Sequence, residues 1–273
     1  MADTSNTSPR TWQQRFKKAR RKRIKKFGTK LIRGLADFLG RQSTVGDAPV
    51  LDSNHFPFLK TFANDWQAIK AEVTEILKHR DAIPVFQDVS SDQKRISKGN
   101  NWRTFILFGF GEKLEKNCKQ APVTTRLLEA VPNLQTAWFS ILGPGYHIPA
   151  HCGVSKGILR AHLGLIIPKQ AEKCRMRVGD TINVWRSGEI FVFDDTYEHE
   201  VWNDTKDERV ILLFDFNRPM RFWGRLVNST FVRLLKLMAY YQEPKKKMVT
   251  FEDRFEAATR RANENLEKLS DPD

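Results

Sequence analysis

Apolar and polar positions change period twice along the chain. From Thr11 to Leu39, the residues Trp12, Phe16, Ile24, Phe27, Leu31, Leu35 and Phe38 recur at intervals of three, four or their sums. That spacing predicts one apolar face of a helix whose other face is crowded with Arg and Lys. Residues 40–57 (GRQSTVGDAPVLDSNHFP) read as loop by composition. Trp66 to Lys78 predicts a second amphipathic helix, with acidic residues that suit packing on a domain. From Trp102 onward, short runs rich in β-branched and aromatic residues alternate with Gly, Pro, Asp and Ser. These predict strands near 103–109, 135–142, 160–167, 174–178, 182–186, 190–193, 199–202 and 209–216. Ser187-Gly188 is expected to turn a hairpin and Gly143-Pro144-Gly145 to make another tight turn. Eight short strands with few helices among them predict a mainly β fold, a double-stranded β-helix or jelly roll, with amphipathic helices flanking it at both ends. Helical spacing returns from Phe222 to Tyr241, with Trp223, Val227, Phe231, Leu234, Met238 and Tyr241 on one side.

Length and charge divide this pattern into parts. A chain of 273 residues with 40% hydrophobic and 11% aromatic residues can bury one sizeable core plus extensions. The expected organisation is a basic membrane-surface segment and linker (1–45), a catalytic domain (46–220) and a C-terminal helical extension (221–273). Residues 1–40 hold twelve Lys and Arg against Asp3 and Asp37, and residues 221–247 hold seven against Glu243, so the net charge of +14 belongs to the two ends. A helix with aromatic residues on one face and a dozen cations on the other suits an anionic bilayer surface, and residues 11–39 are expected to lie there. Phe222–Tyr241, followed by Lys245-Lys246-Lys247, reads equally as a second such contact or as a helix packed on the jelly roll. Polar and basic residues occupy the place of a secretory h-region, and no run of about 18 uncharged apolar residues occurs. Three scattered cysteines make no disulfide framework. The expectation is a cytoplasmic protein held peripherally on the inner face of a membrane.

Two of the six histidines stand in suggestive settings: His151 in PAHCGVSKGILRAHLGL and His199 in DDTYEHEVWND. A mononuclear iron(II) oxygenase needs neutral imidazoles on one side of the metal and open positions for an oxoacid and O2. Neighbouring strands of a barrel supply them whatever the gap in sequence. Arg209 begins a buried strand, where a guanidinium needs a carboxylate partner such as the far end of 2-oxoglutarate. Spacing alone leaves the plain alternative open: two satisfied or surface histidines, and an Arg209 paired with a local acid.

The stretch from about Trp102 to Pro219 resembles the aspartyl/asparaginyl β-hydroxylase family, which includes bacterial lipid hydroxylases. The motifs are NCKQAP…LLEAVP, FSILGPGYHIPAHCG, LRAHLGLIIP, CRMRVGD, FVFDDTYEHEVWND and ERVILLFDFNRP, in that order. The resemblance implies an Fe(II) enzyme with 2-oxoglutarate and O2 as co-substrates. It implies His151 and His199 as iron ligands, Arg209 and Ser140 on the distal carboxylate of 2-oxoglutarate, Arg160 and His162 beside its metal-bound end, and Trp102 as a wall of the pocket. Ser140 is also readable as a strand hydroxyl and Trp102 as core, and Cys152 reads as packing. Gly153 stands where most iron oxygenases of this fold carry a carboxylate, which is typical of the family. That implies water as third ligand; Asp194 and Asp195, close to His199 in sequence, are the alternative source of a carboxylate, with a structural or supporting role favoured for both. Peptide hydroxylases of the family carry an arginine two residues before the Arg160 position, where this chain has Ile158. Together with the basic ends, this favours hydroxylation of an acyl chain of a bacterial membrane lipid, of ornithine-lipid or lipid A type. Peptide or free amino-acid β-hydroxylation is the alternative. A non-enzymatic nucleic-acid-binding protein is the third reading, but regular Trp and Phe spacing is unnecessary for a phosphate-binding tail, so no nucleic acid partner is expected.

Overall fold

The computed structural model describes residues 33–89, 96–97, 99–237 and 247–261. Its eleven described strands are β1 (Val50–Leu51), β2 (Trp102–Gly109), β3 (Glu112–Lys113), β4 (Leu134–Leu142), β5 (Tyr146–His151), β6 (Ile158–Ile166), β7 (Cys174–Val178), β8 (Thr181–Val184), β9 (Ile190–Phe193), β10 (His199–Asn203) and β11 (Arg209–Asn217). They form two antiparallel sheets, ordered β1-β9-β6-β11-β4-β2-β3 and β5-β10-β7-β8. The mainly β, two-sheet architecture read from the sequence is present, with helices at both ends.

Each face of the larger sheet buries a different core. Val210, Leu212, Phe214 and Phe216 alternate onto its outer face and join Phe62, Ile69, Val73, Ile76, Leu127 and Leu128 of the covering helices. The helix Trp66–Leu77 supplies Ile69, Val73 and Ile76 at helical spacing, all at or below 2% exposure. Burial of that kind stabilises by about 1.5–3 kcal/mol per large aliphatic side chain. Glu72 of the same helix accepts hydrogen bonds from the Val123 N–H (2.6 Å) and Thr124 N–H (3.0 Å), satisfying the exposed start of the helix Pro122–Glu129. The inward positions of β11 are Arg209, Ile211, Leu213 and Asp215, facing the space between the sheets. Met176, Val178, Trp185 and Val201 are among the residues that close the second core there.

The structure departs from the sequence reading in two places. β5 was not anticipated, because YHIPAH carries a proline and too few β-branched residues to read as a strand. Ser187-Gly188 does not turn a hairpin: β8 and β9 lie in different sheets, and the chain crosses between them there. Gly188 has φ +81° and donates its N–H to the Gly164 carbonyl (2.9 Å), so the crossing requires glycine. The helix Phe222–Leu237, which the sequence left open between membrane contact and packing, buries Gly224, Asn228 and Val232, while Trp223 and Leu234 are exposed. Met238 and Tyr241 lie outside the described residues.

Residues 33–42 are helical, with Leu39 buried; the rest of the predicted 11–39 helix lies outside the described residues. The helix over 247–261 packs on β2 through Met248 and Phe255. No helix among the described residues is long and apolar enough to cross a membrane.

Candidate active site

Register brings the two singled-out histidines together. His151 ends β5, His199 begins β10, and the two are paired across the ladder. Their ring centroids stand 4.1 Å apart. Each ring is fixed by its own chain: His151 Nδ1 bonds the Pro149 carbonyl (2.8 Å) and His199 Nδ1 the Tyr197 carbonyl (3.0 Å). A carbonyl only accepts, so Nδ1 carries the proton and Nε2 carries the lone pair in both rings. Burial, then the neighbouring His151, push the His199 pKa down to about 3, which keeps that ring neutral. This is the protonation state and ring fixation of a metal-binding histidine pair. Among the described residues, no third His, Cys, Asp or Glu completes a cluster of three.

A cavity of about 390 Å³ opens beside the pair and runs between the sheets. Its floor follows β11 from Arg209 through Ile211 and Leu213 to Asp215, with Ser140, Trp138 and Thr136 of β4 beside the last three. Six residues of strand span about 20 Å, so the two ends of this floor are chemically separate places.

At one end stands Arg209, 2% exposed. It donates from Nη2 to Ser140 Oγ (3.1 Å), and its guanidinium lies 4.7 Å over the Trp185 ring. Trp102 Nε1 donates to the same Ser140 oxygen (3.1 Å). Ser140 therefore accepts twice and keeps its own proton to donate. Arg209 Nε is buried with no hydrogen-bond partner among the described residues, and so are Thr104 Oγ1 and both ring nitrogens of His162. Burial lowers the Arg209 pKa to about 10, and no carboxylate among the described residues counters it. A cation at neutral pH that is buried and unpaired is costly, and a bidentate carboxylate is the ligand that relieves it.

At the other end, Arg160 is engaged by the protein itself. It donates from Nε to Asp215 Oδ1 (2.7 Å) and from Nη2 to Asp215 Oδ2 (2.9 Å), while Thr136 Oγ1 donates to Oδ2 (2.7 Å). Asp195 stands 3.6 Å from Arg160, and burial, only partly offset by that arginine, raises its pKa to about 7. A Cβ built at Gly153 would fall on the Asp195 carboxylate, and the Gly153 N–H donates to the Asp195 carbonyl (2.6 Å). Asp195 thus occupies the space that a side chain at position 153 would need. Asp194 points elsewhere, into a buried ion pair with Arg218 and a contact with Lys156 at 3.5 Å.

All seven sequence-predicted site residues line this one cavity: Trp102, Ser140, His151, Arg160, His162, His199 and Arg209. Trp102 also stacks on Phe86 at 4.0 Å, so it is wall and packing at once. Cys152 is exposed at the cavity, which corrects its reading as a packed thiol. Sequence reasoning missed Asp215 and Thr136. A lone carboxylate in the apolar run VILLFDFN was the available signal. Ile158 faces the cavity two residues before Arg160, one pleat beyond Asp215.

The model of the aspartyl/asparaginyl beta-hydroxylase family matches residues 63–219. An ornithine lipid ester-linked acyl 2-hydroxylase of Rhizobium tropici is 41% identical over 203 residues, covering 74% of this chain and 72% of that protein. The human aspartyl/asparaginyl beta-hydroxylase is 31% identical over 173 residues, covering 62% of this chain and only 22% of the human protein. A Pseudomonas putida prolyl-4-hydroxylase superposes with a TM-score of 0.39 at 16% identity, over 56% of this chain and 86% of that one. The chain belongs to the aspartyl/asparaginyl β-hydroxylase family.

Proposed function

We propose that this protein is an iron(II)- and 2-oxoglutarate-dependent hydroxylase that acts on an acyl chain of a bacterial membrane lipid. The observation that carries the reading is one cavity lined at once by a buried guanidinium with no carboxylate partner among the described residues, by a fixed imidazole pair, and by apolar residues between its polar groups. In this reading His151 and His199 hold the iron through Nε2. Arg209 and the Ser140 hydroxyl take the distal carboxylate of 2-oxoglutarate, and Trp102 fixes the Ser140 oxygen. His162, held neutral by its burial, lies beside the co-substrate without competing for the metal-bound charge. Arg160, already neutralised by Asp215, orients Asp195 next to the imidazole pair. Iron(II) with 2-oxoglutarate and O2 supplies the C–H oxidation that no side chain performs, and the balance is substrate, 2-oxoglutarate and O2 to hydroxylated substrate, succinate and CO2.

The acyl substrate is supported by Ile158 and by the apolar residues Ile106, Phe108, Val232 and Met248 along the cavity. A peptide carboxylate needs a cation at that entrance, and Ile158 offers none. The Rhizobium relative is named for acyl 2-hydroxylation of an ornithine lipid, which is the same chemistry. Residues 11–39 would hold the enzyme on an anionic bilayer.

The test is turnover with purified protein, iron(II), 2-oxoglutarate and membrane lipid extract. Succinate and a lipid heavier by one oxygen are expected, and both should vanish with chelator. In His151→Ala and His199→Ala, iron content should fall to background while circular dichroism is unchanged. Near-normal iron content in either variant overturns the ligand assignment. Efficient hydroxylation of an aspartate-containing peptide, with no lipid product, overturns the substrate.

A further inference from the structure

The helix Phe222–Leu237 has two apolar sides, and only one of them is buried. Gly224, Asn228 and Val232 face inward. Asn228 Nδ2 donates to the Gly157 carbonyl (2.8 Å), which fastens the helix to the loop that follows His151. Val232 and Leu235 of the same helix form part of the cavity wall, near Met248. Outward, Phe222, Trp223, Leu226 and Leu237 are 61%, 63%, 51% and 76% exposed. At about 100° per residue these four fall within one arc of about 100°, with Arg233 inside it and Arg225 about 60° to one side. The helix carries no Asp or Glu. Arg221, Arg225 and Arg233 have no carboxylate within ion-pair distance among the described residues. Val154 and Val249, 56% and 51% exposed, extend the apolar surface around the opening, each next to or among the cavity-lining residues.

A run of exposed Trp, Phe and Leu on a helix bordered by arginines marks an interaction surface, not a solvated face. The charge selects what covers it. A second copy of this chain would bring arginine against arginine, and the basic segment 1–40 carries the same sign. An anionic bilayer offers both apolar depth and negative headgroups.

We propose that the helix Phe222–Leu237 is the membrane-entry wall of the site. Its outer face beds in an anionic bilayer while its inner face lines the cavity, so an acyl chain passes from the membrane to the imidazole pair without crossing water. This rests on the acyl-hydroxylase reading for its cargo, but the docking itself does not.

Two measurements on the full-length protein test it. The first is tryptophan emission with vesicles of phosphatidylcholine and phosphatidylglycerol, in which the acyl chains are brominated to quench buried indoles. Quenching of wild type should exceed that of Trp223→Phe, because Trp223 enters the acyl layer; equal quenching overturns the docking. The second compares wild type with Trp223→Ser/Leu226→Ser/Leu237→Ser, three exposed residues outside the cavity. Hydroxylation of lipid in vesicles should fall tenfold or more, while hydroxylation of the same lipid in detergent micelles stays within twofold. Vesicle activity within twofold of wild type overturns the proposal. So does conversion of a wild-type dimer to monomer with vesicle quenching unchanged, which would make the face a contact between copies. Wild type that produces no succinate with iron and 2-oxoglutarate would reject the functional reading alone, since the quenching measurement needs no turnover.

Discussion

Arg209→Met is the substitution that separates a co-substrate anchor from an ordinary structural arginine. In the protein as it stands, the guanidinium is 2% exposed, keeps one hydrogen bond to Ser140, and has no carboxylate partner among the described residues. Replacing buried ionic groups by apolar ones of similar volume is often neutral or stabilises by about 1–4 kcal/mol. Methionine reaches the same length and can lie on the Trp185 ring. Without 2-oxoglutarate, the variant should therefore melt at or above the wild-type temperature, by a few degrees at about 2–4 °C per kcal/mol for a domain of this size. With 2-oxoglutarate the order reverses. Hydrogen bonds to charged groups contribute about 1.5–3 kcal/mol each, so losing two of them weakens binding by roughly 3–6 kcal/mol, or about 100-fold to 10,000-fold. At a concentration near 100 times Kd, the wild type gains about 2.7 kcal/mol, and the variant gains almost nothing. Differential scanning fluorimetry under anaerobic iron(II), with and without 2-oxoglutarate, reads both effects. A ligand-free variant that loses more than about 2 kcal/mol, or one that keeps the ligand-induced rise, would refute the reasoning.

Asp194→Ala should cost about 3–5 kcal/mol by denaturant titration, because it leaves Arg218 buried without its partner; adding Arg218→Met should recover most of that loss. Gly153→Ala should leave the melting temperature within a few degrees yet lower succinate formation at least tenfold, since only the end of the Asp195 side chain must move to admit the new methyl. An unchanged rate would remove Asp195 from any part in the site. Trp102→Phe keeps the stack on Phe86 but loses the donor to Ser140, so its KM for 2-oxoglutarate should rise about fivefold with kcat little changed, as expected for a hydrogen bond of about 1 kcal/mol.

How much of this was readable in the chain differs from strand to strand. β2, β4 and β6 announced themselves because β-branched and aromatic residues dominate them, and their observed limits fall within two residues of the expected ones. β5 did not, although it carries His151. Its YHIPAH is held by pairing with β10 rather than by its own preference, and single-strand patterning is blind to pairing. The site residues came from motif order, not from spacing. His151 and His199 are 48 positions apart, and only antiparallel register sets them side by side. Which side of Phe222–Leu237 packs on the domain stayed open in the sequence for a related reason. Its apolar residues occupy two arcs of the helix, and periodicity cannot tell which of the two the domain covers.

β11 explains why the site is placed where it is. The run RVILLFDFN looks uniformly buried in sequence, yet alternate residues serve two unlike spaces. Val210, Leu212, Phe214 and Phe216 anchor the outer core against the helices, while Arg209 and Asp215 bracket the cavity floor between the sheets. The same packing that fixes one set fixes the other, because successive side chains on a strand point to opposite faces. A one-residue slip of β11 would send Arg209 and Asp215 into the outer core and four large apolar residues into the cavity. Stability and site geometry therefore depend on a single register. The buried charge at Arg209 is thus held by a strand whose outer residues, Val210, Leu212, Phe214 and Phe216, are at or below 1% exposure.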